Sequence, residues 1–499
     1  MKYILSIDSG TTSTRALLID HAGQIVGIEQ KPLTQHYPEH GWIEHNPLEI
    51  LEAQFSAISQ LLEKSSIPPS EIGAIGITNQ RETTIIWEKS TGKPIWNGIV
   101  WNDRRTTERL VKIKEHHEEM IHKKTGLYVE SYFSASKIDW ILTNVEGARE
   151  RARKGELLFG TVNTWLLWHL TNGEVFATDV SNASRTLIFN IHQLSWDADL
   201  LDLFDIPEQM LPEVRSNSEI YGKTHCSILP QSIPIASMIG DQQASLFGHG
   251  CFDPGDVKCT YGTGSFMMMH TGYQVVFSQH KLLSTIAWQI GKNRCEYAIE
   301  GLVYSAGSVV NWLKDRLGIL RTASEIESLA FSVPDSGGVY FVSALNGLAS
   351  PHWNEAVRGT LFGISASTNI GHIARAALES IAFQVADSLQ AMQKDAGSEI
   401  KQIKCGGGMS ENIFLMQIQS DLLGIDLAKS SAKEMTALGA GFLAGLAVGF
   451  WKDLEEIRKL WHCDRKFSPE LKTCDVMRMK QHWKCAVKLA EMWADNQEI

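Results

Sequence analysis

The feature that most constrains this chain is a strand-turn-strand pattern that occurs twice, as IDSGTTSTRALLID over residues 7–20 and as CTYGTGSFMMMHTG over 259–272. In each, an apolar run leads into a glycine-threonine turn and a second apolar run leads out, which reads as an antiparallel hairpin. In the first copy Gly10 permits close backbone approach, Thr11, Thr12 and Ser13 bring hydroxyl and amide donors, and Arg15 adds a fixed positive charge. Those groups suit a phosphate. Asp8 would repel one, so its position beside the turn points to a hydrated divalent cation that neutralises the phosphates. Asp, Gly, Ser and Thr also make ordinary turns. The repetition argues for more: two such hairpins, heading two halves of one chain, predict a duplicated domain with a nucleotide held between the copies.

The rest of the sequence can build that architecture. With 499 residues and 43% hydrophobic composition the chain has core enough for two or three domains. Its formal charge of -11 argues against a nucleic-acid partner or an anionic membrane surface. Asp8 interrupts the first apolar run too early for a signal peptide, and the longest apolar run, 437–451, carries four glycines and reads as a buried helix; no membrane insertion and a cytoplasmic location are expected. Eight cysteines without a C-x-x-C pair suggest reduced thiols rather than disulfides or a zinc site.

Along the chain, residues 47–64 read as an amphipathic helix with an apolar stripe at Leu48, Leu51, Phe55, Ile58, Leu61 and Leu62. A buried strand over 72–77 runs into Thr78-Asn79-Gln80-Arg81-Glu82, which puts opposite charges at the sheet's carboxyl end, where open α/β sheets bind ligands. A surface ion pair is the alternative. A charged helix is expected to open at Asn102 and run to Lys124, with His116, His117 and His122 solvated on its polar face. Residues 157–170 read as a loop and then a buried helix, 215–234 as a Ser-rich variable loop, and 285–290 and 296–299 as strands followed by Glu300-Gly301. Gly240-Asp241-Gln242-Gln243 opens a helix. A carboxylate at that terminus is either an ordinary cap or a base for a hydroxyl nucleophile. Cys405-Gly406-Gly407-Gly408 lets backbone approach a base or phosphate, or makes a tight turn. No G-x-x-x-x-G-K-[ST] exists, and Gly439-Ala440-Gly441 lies inside the apolar helix without a preceding strand, so neither a P-loop nor a dinucleotide fingerprint is present.

The two hairpins, the triple glycine, and GITNQRETT (76–84), VWNDRR (100–105), YFSASKIDWIL (132–142), GDQQA (240–244) and TYGTGSFM (260–267) together resemble the FGGY carbohydrate kinases of the actin, hexokinase and heat-shock ATPase superfamily. Within that family the branch that phosphorylates glycerol is the most similar. The resemblance implies an α/β fold of two RNase H-like (actin-like ATPase) domains, residues 1–247 and 248–499, meeting at a deep interdomain cleft near 247–250. It implies transfer of the γ-phosphoryl group of ATP, with Mg2+, to glycerol, giving sn-glycerol 3-phosphate and ADP. Arg81, Glu82, Asp241 and Gln242 would hydrogen-bond the hydroxyls, Trp101 and Phe266 would wall the carbon chain, Tyr132 would close the pocket, and Asp241 would be the general base. Thr11, Thr12, Ser13 and Arg15 would hold the terminal phosphates, with Asp8 acting through magnesium. Thr263, Gly307, Asn311 and Gly407 would meet the nucleotide. A homodimer or homotetramer is implied by resemblance alone. A ketopentose kinase of the same family, or a nucleotide-switched chaperone or filament protein, are the alternative readings. Ser9, Cys405 and Glu411 depart from the family's frequent Gln, Asp and Asn, and 221–234 lacks the Gly-Gly-Lys-Gly-Gly-Thr pattern and aromatic neighbours of His225 that go with regulation, so neither control is expected.

Overall fold

A computed structural model describes residues 1–226, 228–229, 231–397 and 399–496. The first sheet contains β1 (Tyr3–Ser9), β2 (Ser13–Asp20), β3 (Ile25–Pro32), β4 (Ile72–Asn79), β5 (Ser218–Lys223) and β6 (Pro234–Gly240), in the order β3-β2-β1-β4-β6-β5. The second contains β7 (Val257–Tyr261), β8 (Ser265–Gly272), β9 (Leu283–Trp288), β10 (Glu296–Val303), β11 (Gln402–Gly406), β12 (Asp426–Ser430) and β13 (Cys463–Phe467), in the order β9-β10-β8-β7-β11-β12-β13. From β3 to β5 the pairings run antiparallel, antiparallel, parallel, parallel, antiparallel, and from β10 to β13 they run the same way. The sheets are copies of one plan, with β9 added at one edge. The duplication expected from the two hairpins is present, and the hairpins β1-β2 and β7-β8 are its corresponding elements.

Each sheet is covered on both faces, which is why its central strands are apolar on both. Leu5, Ile7, Leu18, Ile75 and Ile77 face helix α1 (Pro47–Ser65), while Ile4, Ile19 and Ala74 face the opposite way. Further along are α2 (Thr107–Thr125), α3 (Ser134–Asn144), α4 (Asp241–Gly248), α5 (Gly307–Asp315), α6 (Ile370–Ala396), α7 (Ile413–Leu423) and α8 (Met435–Ala447). The second sheet's core lies under α5 and α6, against Val309, Val310, Leu313, Ala377, Ile381, Val385 and Leu389.

The cover on the first sheet's other face is α8, which comes from late in the chain. Ser6, Ser237 and Ser218 donate their hydroxyls to the carbonyls of Ala437, Ala440 and Leu443. These three carbonyls recur every three residues along one side of the helix, so three strands hold it in a single register. α8 crosses α4 backbone to backbone: a Cβ on Gly439 would lie 1.9 Å from the Ala244 carbonyl oxygen, and one on Gly248 would lie 2.1 Å from that of Met435. Phe247, Met268, Trp288, Leu438 and Leu443 complete the shared core between the sheets. Among the described residues no helix is long and apolar enough to cross a membrane.

Several local expectations need correction. The buried stripe of α1 is Ile50, Gln54, Ala57, Ile58 and Leu61, and Leu48 is exposed, because the helix turns Gln54 inward to donate to the Arg15 carbonyl and accept from Thr14. α2 starts at Thr107, not Asn102, since Asp103 is taken up by the Ile43 amide at 2.6 Å and by Arg105. His122 is half-buried, its ring stacked 4.5 Å from that of Tyr128. Residues Leu157–Gly160 form a strand paired with Ile85–Glu88, not a loop. Within the stretch read as a variable loop, 218–223 is strand β5 with Tyr221 buried; Ser227 and Pro230 lie outside the described residues. Glu300 and Gly301 belong to β10 itself.

The α4–α8 crossing leaves no room for a side chain. Gly439→Ala should therefore cost about 1–3 kcal/mol by overpacking, read as a lower urea midpoint with unchanged slope. A midpoint equal to wild type would refute the contact.

Candidate functional site

The carboxyl ends of β1, β4, β6 and β7 and the turns that follow them converge on one region. The first turn is closed by Gly10 N donating to the Ser13 carbonyl at 3.0 Å, while Gln80 Nε2 donates to the Gly10 carbonyl from the end of β4. Thr11 is half-buried and its hydroxyl accepts from the Trp101 indole at 3.0 Å. Thr12 is exposed. Ser13 is buried and acts in the turn through its carbonyl. Arg15 leans back along the hairpin, with Nη1 3.2 Å from Asp8 Oδ2 and Nε 3.6 Å from Glu434. Burial raises the Asp8 carboxyl to about 6 against the pull of Arg15, with Glu434 and Asp241 adding to the rise. An incompletely compensated carboxylate beside this turn suits a hard cation. Among the described residues there is no group of three or more His, Cys, Asp or Glu that could by itself hold a metal ion.

Behind this turn lies a fully buried charge cluster. Arg81, just beyond β4, donates from Nη1 and Nη2 to the two oxygens of Glu300 at 3.1 and 2.5 Å. Its Nη1 also donates to Gln243, and its Nε lies 3.2 Å from Asp241 Oδ1. Arg185 donates from Nε to Glu82 at 2.7 Å, and its Nη1 lies 2.8 Å from Glu300. Two buried guanidinium groups and two buried carboxylates thus neutralise one another, and the arginines outweigh burial to hold Glu300 below its usual range. Glu82 remains raised by burial. Its backbone is left-handed, at φ +60°, and its carbonyl is gripped by the hydroxyls of Ser134 and Thr84. The surface-pair alternative for Arg81 and Glu82 therefore fails.

Asp241 is the first residue of α4 and Gly240 is its cap. Asp241 Oδ1 accepts from the Gln242 amide at 2.7 Å and faces Arg81, while Oδ2 takes no protein donor among the described residues. Burial raises its pKa, with Arg81 and Lys258 opposing. Beside it the rings of Trp101 and Tyr132 lie 5.3 Å apart and those of Trp101 and Phe266 6.4 Å apart, so an aromatic wall spans the two halves.

In the second hairpin, the Thr263 carbonyl accepts from the amides of Ala306 and Ser308, and that of Gly262 accepts from Gly307. A side chain at Gly307 would meet Gly262, and one at Gly407, whose φ is +91°, would meet the Tyr261 backbone at 2.5 Å. Thr263, Gly307 and Gly407 are thereby brought together. Asn311 is exposed one turn along α5 from Gly307, on the same side. Glu411 is exposed and paired with Lys429.

Four buried polar groups escaped the sequence reading. Glu300 and Lys258 are single charges within strand-like apolar runs, and such a charge is rarely buried without a partner or a task; that oddity was the available signal, whereas Arg185 sits in a polar run and carried none. Lys137 is the fourth, donating to the carbonyls of Tyr132 and Phe133 and so fixing the turn that carries the Tyr132 ring. Behind α4, Ser181 accepts from the Gly240 amide within an Asp179–Asn182–Asn79 network. The polar stretch around residue 180 is structural support for the site.

Known proteins match this chain along almost all of its length. The model for the FGGY family of carbohydrate kinases, N-terminal domain, matches residues 3–248, and that for the C-terminal domain of the family matches 257–448. A glycerol kinase of Paraburkholderia xenovorans is 52% identical over 496 residues, and one of Chromobacterium violaceum is 51% identical over 497, with 99% of each chain covered. The crystal structure of Plasmodium falciparum glycerol kinase with ADP superposes with a TM-score of 0.92 at 36% identity, over 98% of both chains. A gluconate kinase of Lactobacillus acidophilus, at 22% identity and TM-score 0.88 over 99% of this chain and 98% of that one, shares the fold.

Asp8 binds a proton more tightly in the folded chain than unfolded, so its contribution favours the fold below about pH 4 and is lost as pH rises through 6. Asp8→Asn should accordingly raise the ligand-free unfolding free energy by about 3 kcal/mol at pH 7.5 while abolishing turnover. A less stable variant at that pH would contradict the electrostatic account.

Proposed function

Because the chain belongs to the FGGY family of carbohydrate kinases, we propose that it is a cytoplasmic enzyme that transfers the γ-phosphoryl group of MgATP to glycerol, forming sn-glycerol 3-phosphate and ADP. The observation that carries the reading is the pairing, in one region, of Asp241 with Arg81 and of the Trp101–Tyr132–Phe266 wall. A short triol needs both. Charged and amide groups fix its hydroxyls, and aromatic faces cover its carbons and exclude the water that would otherwise take the phosphoryl group. The pocket contributors Arg81, Glu82, Trp101, Tyr132, Asp241 and Gln242 fall to an acceptor-binding domain of residues 1–247. Phe266 and the nucleotide contacts Thr263, Gly307, Asn311 and Gly407 fall to a domain of residues 248–499.

Asp241 is the group placed to act as base. With Oδ1 occupied by Arg81 and the Gln242 amide, Oδ2 accepts the proton of the reacting hydroxyl as its oxygen attacks the γ-phosphorus and ADP leaves. Burial raises this carboxylate's pKa and so makes it more basic than a free one, against the opposing pull of Arg81 and Lys258. Arg15 and the amides of Thr11 and Thr12 receive the terminal phosphates. Mg2+, held through Asp8, supplies charge neutralisation on those phosphates when bound. The identity of glycerol as acceptor rests on the 50%-range kinship with the curated glycerol kinases and on the polar pocket; the 22% identity of the gluconate kinase bears on fold alone.

The test is ADP release with MgATP across glycerol, xylulose, ribulose, gluconate and no acceptor. Selective stimulation by glycerol with formation of glycerol 3-phosphate is expected, and preference for a ketopentose would overturn the acceptor assignment. Asp241→Asn should lower kcat by roughly 10²–10⁴-fold with little change in the KM for MgATP. Near-normal kcat at saturating glycerol would remove Asp241 from the base role.

A further inference from the structure

Lys258 stands in the middle of β7, its side chain wholly buried. Strand alternation sends Val257, Cys259 and Tyr261 into the core of the second sheet, and sends Lys258 and Thr260 the other way, towards the first turn of α4. There the ammonium group has three oxygen neighbours: Gln242 Oε1 at 2.5 Å, Thr260 Oγ1 at 3.2 Å and the Phe266 carbonyl at 3.4 Å. An ammonium has donors only. It therefore admits only the oxygen end of the Gln242 carboxamide, and the amino end must point away. Gln242 is half-buried beside Asp241, and its Nε2 meets no protein acceptor among the described residues.

We propose that Lys258 is a positioning residue, one that locks the Gln242 side chain so that its NH2 group faces the acceptor pocket and donates to an oxygen of the bound polyol. This rests on the kinase reading above and adds to it the polarity of one corner of the pocket. The corner becomes a fixed donor set against the acceptor Asp241 Oδ2. A hydroxyl oxygen can satisfy both; a methylene in its place would leave the amide unpaired. The Phe266 carbonyl, on the same ammonium, ties the orientation of Gln242 to the residue that forms one end of the aromatic wall. The lysine comes from the second sheet and the glutamine follows the first, so this corner of the pocket is complete only when the two halves are docked. Burial also lowers the ammonium's pKa to about 8, within reach of neutral solution, which fits a group held for its hydrogen bonds as much as for its charge.

The closing experiment uses the full chain and whichever acceptor the wild type turns over best, so that a wrong acceptor identity and a wrong role for Lys258 give different results. Lys258→Met should raise the KM for that acceptor about tenfold, the loss of one well-made hydrogen bond, and leave the KM for MgATP unchanged, with partial rescue in Lys258→Arg. Gln242→Ala should give the same loss, and adding Lys258→Met to it should cause little more. Gln242→Glu is the variant that does not disturb the buried lysine, because its carboxylate still pairs with the ammonium but has no donor to offer. It should lose acceptor affinity as fully as Gln242→Ala. Near-wild-type KM in Gln242→Glu would mean that the pocket uses the oxygen end of the amide, and would overturn the proposal. Equal increases in both KM values for Lys258→Met, or additive losses in the double variant, would assign Lys258 to general structure and overturn it likewise. If Lys258→Met does not fold, the Gln242→Glu and Gln242→Ala comparison decides.

Discussion

Arg81 and Glu300 are the interaction on which the rest of the site depends. They stand in different halves of the chain and neither touches solvent. A lone buried charge would cost several kcal/mol, so neither half can leave its member of the pair exposed to an apolar interior. Arg185 and Glu82 extend the pair into a closed set of four, and Asp241 hangs from its edge by the third guanidinium nitrogen of Arg81. The half-exposed carboxylate is thus oriented by charges that are themselves immobile. Its reach into the pocket is set from behind, before any ligand arrives.

The duplicated sheet plan explains why two turns of similar composition do different work. In the first, Asp8 and Arg15 are register partners on β1 and β2, so the turn carries a carboxylate and a cation side by side. In the second, the register partners around Gly262 and Gly264 are Tyr261 with Ser265 and Thr260 with Phe266, with no charge at the tip. The scaffold brings both turns to the same region, and the difference in their flanking residues separates a charged side from a neutral side lined by backbone. Asymmetry between the copies is what lets one plan present two chemically unlike turns to the same region.

What could be read from the sequence was what depends on near neighbours. The hairpins, α1, the helix that Asp241 opens and the aromatic residues of the motifs were all visible, because turn chemistry and apolar periodicity are local properties. The partners of Arg81 were not, since Glu300 is 219 positions away and the pairing is made by the docking of two sheets. The facing of α1 was misjudged by about one position for a related reason. Gln54 looks like a solvent residue, yet a hydrogen-bond demand from β2 turns it inward. The helix start after Trp101 was misplaced because Asp103 satisfies a distant amide rather than the first turn that follows it. The docking of α8 on the first sheet also had no local sign, because three isolated serines on three strands acquire meaning only once the helix lies across them.

That helix has a consequence for how the protein is made. The strands it covers are complete once β6 has been synthesised, but α8 begins at Met435, after the whole second sheet except β13. At about 5–20 residues per second, roughly 200 further residues occupy the ribosome for some tens of seconds. Throughout that interval Ile4, Ile19, Ala74 and Ile239 lack the helix that covers them in the complete chain. The first half of this chain therefore carries, by construction, an apolar sheet face whose cover is encoded about 200 residues further on, and a fragment ending between β6 and α8 lacks that cover.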